Sequence, residues 1–142
     1  MIVPRRVIRQ ANADDGSANS AIDPESERSS RKHLTQRAIS DGNAYVVEEN
    51  ESITAVGILE YTFFEYGFVP LIYVHLRNRH AGVGELLLRD LVSRCRTIKV
   101  FSSTNLSNAP MHGLFHKLEF EVTGMLHHLD PSAPEIIYVK AL

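Results

Sequence analysis

A single cysteine, Cys95, stands in 142 residues, so no disulfide can form within the chain. No apolar run approaches the roughly 18 residues that a membrane-spanning helix needs. Positive charge is not in excess: 15 Lys and Arg against 17 Asp and Glu leave a formal net charge of −2. That balance argues against a general nucleic-acid binder, whose footprint is basic. Arg5 and Arg6 precede no apolar stretch, so no signal peptide is expected, and a cytoplasmic, reduced setting is the default. What is present, 44% hydrophobic and 23% charged residues, is ordinary for a globular protein. The length suits one domain, 1–142, able to bury roughly 68–70% of its unfolded surface around a single core.

The rest of the chain is organised around Val74 to Gly84, Val-His-Leu-Arg-Asn-Arg-His-Ala-Gly-Val-Gly. Before it, Phe68 to Val74 is an apolar run rich in β-branched and aromatic residues, which reads as a strand. After it, Val83, Leu86, Leu87, Leu91 and Cys95 fall on one face of a helix about four turns long. Gly82 and Gly84 therefore sit where the helix begins. Glycine leaves the backbone open to an anion there, and the first N–H groups of a helix lack internal partners. Phosphate is the natural ligand. No Gly-Lys-Ser/Thr follows, which excludes the P-loop. Leu87 stands where the dinucleotide fingerprint needs a third glycine.

Arg79-x-x-Gly82-x-Gly84 after such a strand resembles the acetyl-CoA-binding motif of the GNAT N-acetyltransferase superfamily. The wider family pattern lines up without a gap, with Leu76 where proline is usual and Asn78 where tyrosine is usual. A second stretch, Asn108-Ala109 followed by Leu114-Phe115-His116-Lys117-Leu118-Glu119-Phe120, is similar to the family's later helix and strand. Strands read at 3–10, Ala44–Glu49, Ser52–Phe64, 68–74, 98–101, 120–129 and 136–141. Helices read near 14–21, from Glu25 to Ile39, after Gly82, and from Asn108 through Leu118. The order β-αα-βββ-α-β-α-ββ is that of the family, so the resemblance covers nearly the whole chain. It implies an α/β fold with a mixed sheet, the GNAT acyl-CoA N-acyltransferase fold, with a splayed strand 4/strand 5 pair. Ser102-Ser103-Thr104-Asn105 suit the gap, because polar residues replace the apolar run there. Gly57, inside a strand, marks a bulge or a close approach.

The resemblance further implies acetyl-CoA as co-substrate, with no metal. The backbone from Arg79 through His80, Ala81, Gly82 and Val83 to Gly84 would face its pyrophosphate. Tyr73, Val74, His75 and Leu76 would meet the thioester and pantetheine arm, the N–H groups near Tyr73 and Val74 polarising the carbonyl. Asn108 and Phe115 would complete the site. Two departures stand out. Phe115 occupies the place of a tyrosine that protonates the leaving thiolate in many members, and it has no hydroxyl. Glu119 occupies the place of a glycine. Nor does the strand ending at Val74 carry the carboxylate that many members use as base. Glu60 or Glu65, acting through water, and His75 are the candidate bases. The expected acceptor is a small-molecule or peptide amine whose identity the sequence leaves open, with neither nucleic acid nor membrane expected as partner, and a homodimer stays open. The rival readings are a non-catalytic acyl-CoA-binding module and a nucleotide-phosphate-binding regulatory domain.

The remaining histidines and the cysteine read as structural. His112 and His116 share a helix face, expected to be solvated, since no third zinc ligand is near. His127 and His128, in a strand, would point to opposite faces. Cys95 reads as a small buried hydrophobe.

Overall fold

The computed structural model describes residues 5–16 and 29–142. The elements run β1 (Arg6–Gln10), α1 (Ser29–Ser40), β2 (Ala44–Glu49), β3 (Ser52–Phe63), β4 (Tyr66–Val74), α2 (Val83–Arg94), β5 (Lys99–Asn105), α3 (Ala109–Lys117), β6 (Glu121–Leu126) and β7 (Glu135–Ala141). One 3-10 turn, Leu76–Asn78, links β4 to α2. From α1 onward this is the expected order. The expected residues 3–4, 17–21 and 25–28 of the first strand and two helices lie outside the described residues.

Among the described residues the strands form one seven-stranded sheet, in the order β1-β2-β3-β4-β5-β7-β6. Only β4 and β5 run parallel, as their connection through α2 requires. Two cores form, one on each face. Leu87, Leu88 and Leu91 of α2 and Phe115 of α3 pack on Val47, Ala55, Val69 and Val100. On the other face, Leu34, Ala38 and Ile39 of α1 meet Val46, Val56, Ile58 and Leu71. Gly57 is a close approach and not a bulge: a Cβ there would lie 2.9 Å from Leu91 Cδ1 and 3.0 Å from Leu87 Cδ2. Among the described residues no helix is long and apolar enough to cross a membrane.

Three local expectations are corrected. β5 does not end at Phe101, because Ser102 to Asn105 keep a partner in β7, from Ser102↔Tyr138 to Asn105↔Glu135. β6 ends at Leu126, so His127 and His128 lie in the following loop, with His128 at φ 76. Cys95 caps the end of α2 and is only half-buried, its Sγ 3.3 Å from Thr97 Oγ1.

Helix α3 ends in a Schellman motif. The Phe120 N–H donates to the Phe115 carbonyl at 2.9 Å and the Glu119 N–H to that of His116 at 3.1 Å. This puts Glu119 in the left-handed region at φ 64, where a Cβ crowds the backbone. Glu119→Gly is therefore expected to stabilise the protein by about 1 kcal/mol, net of glycine's entropy. A thermal melt should show a Tm about 4 °C higher.

A second local device ties the N-terminal strand down. The Asp15 carboxylate accepts both Arg9 Nη groups, at 2.8 and 3.0 Å, and the Asn12 N–H at 2.7 Å. Arg9 also donates to Glu48 at 2.9 Å. The Arg9 bonds hold the Asp15 carboxyl below the ordinary 3.8, against the opposing pull of burial. A depressed carboxylate contributes stability that is complete above the unfolded value and lost as pH falls through the folded one. Asp15→Asn is thus expected to cost about 2 kcal/mol at neutral pH. The deficit should shrink below pH 3.8, as read by denaturant titrations across pH.

Candidate active site

β4 and β5 pair over only three registers, Gly67↔Val100, Phe68↔Phe101 and Val69↔Ser102. Beyond these they part. The cause lies in β4. Its register on β3 passes from Glu60↔Phe68 to Ile58↔Leu71, so β4 spends one more residue than β3 over that step. The extra residue falls at Val69-Pro70. Side chains confirm the bulge: Val69 and Ile72 both pack on the α2 side, while Leu71 and Tyr73 pack on the α1 side. A bulge bends a strand, and Pro70 has no N–H to extend the ladder. At the apex, buried Ser102 donates its hydroxyl to the Val69 carbonyl at 2.7 Å.

The N–H groups bordering the gap follow from the ladder on β4's other side. His75 N–H donates to Thr54 carbonyl at 2.8 Å. Backbone direction alternates in an antiparallel pair, so Leu71 and Tyr73 also turn toward β3. Ile72 and Val74 turn toward the gap. Arg79 Nε donates to the Val74 carbonyl at 3.1 Å, and the pairing with β5 has ended at Val69, so the N–H groups of Ile72 and Val74 face the open gap. The Tyr73 N–H, expected at the gap, turns toward β3 instead, and the Ile72 N–H faces the gap. Tyr73 still lines the gap, with the Arg79 guanidinium 5.3 Å from its ring centre.

The gap opens into a cleft of about 810 Å³ that reaches the first turn of α2. Gly82 caps that helix in the left-handed conformation, φ 80, and no side chain caps it. Leu86 N–H is bonded to the Gly82 carbonyl at 3.0 Å, so the N–H groups of Val83, Gly84 and Glu85 precede the helical ladder and have no acceptor within it. All three residues line the cleft. The carboxylate of Glu85 is drawn to Lys117 at 3.2 Å and Arg89 at 3.1 Å. These two bonds, Lys117 first, hold it below its ordinary value. The glycine loop is itself anchored, since Arg6 donates to the Ala81 carbonyl at 3.1 Å.

The sequence model described as the acetyltransferase (GNAT) family matches residues 10–120. This chain belongs to the GNAT acetyltransferase family. A GNAT-family acetyltransferase structure from Bacillus cereus ATCC 10987 is 31% identical, with a TM-score of 0.88 over 96% of this chain and 97% of that one. The yncA protein of Salmonella typhimurium, solved with its cofactor acetyl-CoA, shares the fold: 21% identity, TM-score 0.75, 96% of this chain and 94% of that one. So does a ribosomal-protein-alanine N-acetyltransferase from Brucella melitensis: 20% identity, TM-score 0.79, 96% of this chain and 99% of that one. No curated protein matches the chain.

Within this GNAT fold, the motif residues divide. Tyr73, Val74, Arg79, His80, Gly82, Val83, Gly84 and Asn108 line the cleft. His75, Leu76, Ala81 and Phe115 are not in its wall. His75 Nδ1 accepts the Arg77 N–H at 3.1 Å and caps the 3-10 turn. Phe115 is fully buried, stacked on Tyr138 with ring centres 4.5 Å apart. Asn108 caps α3 and donates to Thr104 Oγ1 at 3.0 Å, tying that helix to β5.

The expected bases are also displaced. Glu60 pairs with Phe68, on the closed side of the apex, and accepts the Thr62 hydroxyl at 2.8 Å. Glu65 is exposed in the β3–β4 turn. Neither lines the cleft. Glu135 does: half-buried on β7, it accepts the Ser103 hydroxyl at 2.7 Å, and both residues are in the cleft wall. No local signal pointed to this pair, because it arises from strand pairing across 32 residues.

His112 is no solvated helix histidine. Its Nε2 lies 3.0 and 3.1 Å from the Asn105 and Leu106 carbonyls, so that nitrogen must carry a proton. In the neutral ring Nδ1 then accepts the Tyr138 hydroxyl at 2.6 Å. The ring clamps α3 to β7. Among the described residues no cluster of three metal-ligating side chains forms.

Proposed function

We propose that this GNAT chain transfers acetyl from acetyl-CoA to a primary amine by direct transfer, with Glu135 as the proton acceptor. The observation that carries the proposal is the gap itself, bordered by Ile72 and Val74 N–H groups on β4 and by Ser103 and Glu135 across from them. The residues present suit acetyl-CoA. The N–H groups of Val83 to Glu85 suit its phosphates, and those of Ile72 and Val74 suit an extended amide-bearing arm, which strands bind like an added strand. When bound, acetyl-CoA supplies an activated thioester. The new N–C bond forms as the C–S bond breaks; of the two protons shed by an ammonium, one passes to Glu135 and the other leaves with the thiol. Ile72 or Val74 N–H would stabilise the negative charge that develops on the carbonyl oxygen. Ser103, bonded to Glu135, holds the carboxylate in place.

The missing hydroxyl at Phe115 favours a second reading, a non-catalytic acyl-CoA-binding module. A thiol-release assay over an amine panel, run beside a calorimetric acetyl-CoA titration, separates the two. Amine-dependent thiol release is expected. Binding without release from any amine would leave only the binding module.

A further inference from the structure

Phe63, Tyr66, Phe68 and Phe101 form one aromatic cluster just past the apex of the gap. Phe63 stacks on Phe68 with centres 5.0 Å apart and planes 17° apart; Phe101 lies 5.0 Å from Phe63 and 5.7 Å from Tyr66. The cluster lies on the sheet face away from α2 and α3. Val69 packs toward α2, so its neighbour Phe68 points the other way. Phe101 is the register partner of Phe68 and shares its face. Among the described residues α1 covers that face only farther along, over Val46, Val56, Ile58 and Leu71. Phe64, 81% exposed at the hairpin tip, extends the patch edge-on from Phe63.

This surface is continuous with the cleft. Ser103 is two residues beyond Phe101 on β5, hence on the same face and about 7 Å away. Carboxylates stand at both ends: Glu135 against Ser103, and Glu60 opposite Phe68. An amine held at Glu135 would therefore lie a short spacer away from this aromatic floor.

We infer that this aromatic floor receives the body of the acceptor, and that the acceptor is a primary amine joined by a spacer of a few carbons to a flat apolar or aromatic group. The inference rests on the proposed acetyl transfer and adds the substrate class. The floor orients the apolar body by stacking and burial, and Glu135 meets the charged end.

The test compares 2-phenylethylamine and 3-phenylpropylamine with ethanolamine as acceptors, by thiol release, in the parent and in Phe101→Ser. Binding of 2-phenylethylamine to the CoA-saturated protein is measured in parallel by calorimetry. The parent is expected to favour the aryl amines at least tenfold in kcat/KM. Phe101→Ser should lose that preference and the calorimetric signal, while acetyl-CoA affinity and turnover of ethanolamine stay unchanged. If Phe101→Ser shows no melting transition, Phe101→Leu, which removes the ring but keeps bulk, should give a several-fold loss confined to the aryl amines. Equal kcat/KM for ethanolamine and the aryl amines would overturn the inference and leave acetyl transfer standing. Acetyl-CoA binding with no thiol release from any amine would overturn the transfer reading and the inference with it.

Discussion

Gly84→Glu is expected to weaken acetyl-CoA binding at least about 100-fold, ~2.8 kcal/mol, while the chain still folds. A Cβ at Gly84 would lie 3.5 Å from Val74 Cγ2 and 3.7 Å from Leu114 Cδ2, and both of those residues line the cleft. A longer side chain must therefore enter the cleft mouth. Its carboxylate would take the helix N–H groups intended for phosphate and repel the phosphate itself. The fold should not suffer, because an acidic residue in the first turn of a helix is favourable. Gly84→Ala makes only ordinary van der Waals contacts there and should bind within a few-fold of the parent. Calorimetry on the three proteins decides the matter; an unchanged dissociation constant for Gly84→Glu would place the phosphates elsewhere.

Glu135→Gln should lower kcat about 100-fold or more, the usual contribution of a positioned general base. Acetyl-CoA affinity should hold, because Glu135 lies across the gap from the N–H groups assigned to the arm. The amide keeps the shape and can still accept from Ser103, so packing is preserved while the proton acceptor is removed. Glu65→Gln, exposed in the β3–β4 turn, should leave kcat within about twofold, as surface substitutions away from a site usually do. Steady-state kinetics on both variants discriminate. If Glu65→Gln collapses turnover and Glu135→Gln does not, the base sits at the hairpin end of β4 and the gap has been assigned the wrong acceptor side.

The order of elements and the glycine-rich start of α2 were legible in the sequence because both are local and periodic. Val83, Leu87 and Leu91 mark one helix face, and the glycines punctuate its start. Splaying of β4 and β5 was legible in part, from the polar run at Ser102 to Asn105. The reason given was incomplete: those residues keep their pairing to β7, and the break comes from the bulge at Val69-Pro70. Which N–H groups meet the gap is set by the alternation of the β3–β4 ladder, which turns Ile72 and Val74 toward it and Tyr73 away, a phase that no composition or spacing reveals. Glu135 and Ser103 were invisible for a related reason. Each is an ordinary polar strand residue until the β5–β7 register brings them together. Phe115 and His112 were misjudged in opposite directions. The family position suggested a cofactor contact for Phe115, which is core. The lack of a third zinc ligand beside His112 and His116 suggested a solvated face for His112, which is bonded to Tyr138 and two carbonyls.

The most direct measurement is a crystal structure of the protein with acetyl-CoA. The expected result is the arm lying in the gap beside Pro70 to Val74, with the N–H of Ile72 or Val74 within hydrogen-bond distance of it. The phosphates should lie over the N–H groups of Val83 to Glu85, and the acetyl group should face Ser103 and Glu135. Acetyl-CoA bound outside the gap, or β4 and β5 paired continuously past Val69 and Ser102 with the ligand elsewhere, would contradict it.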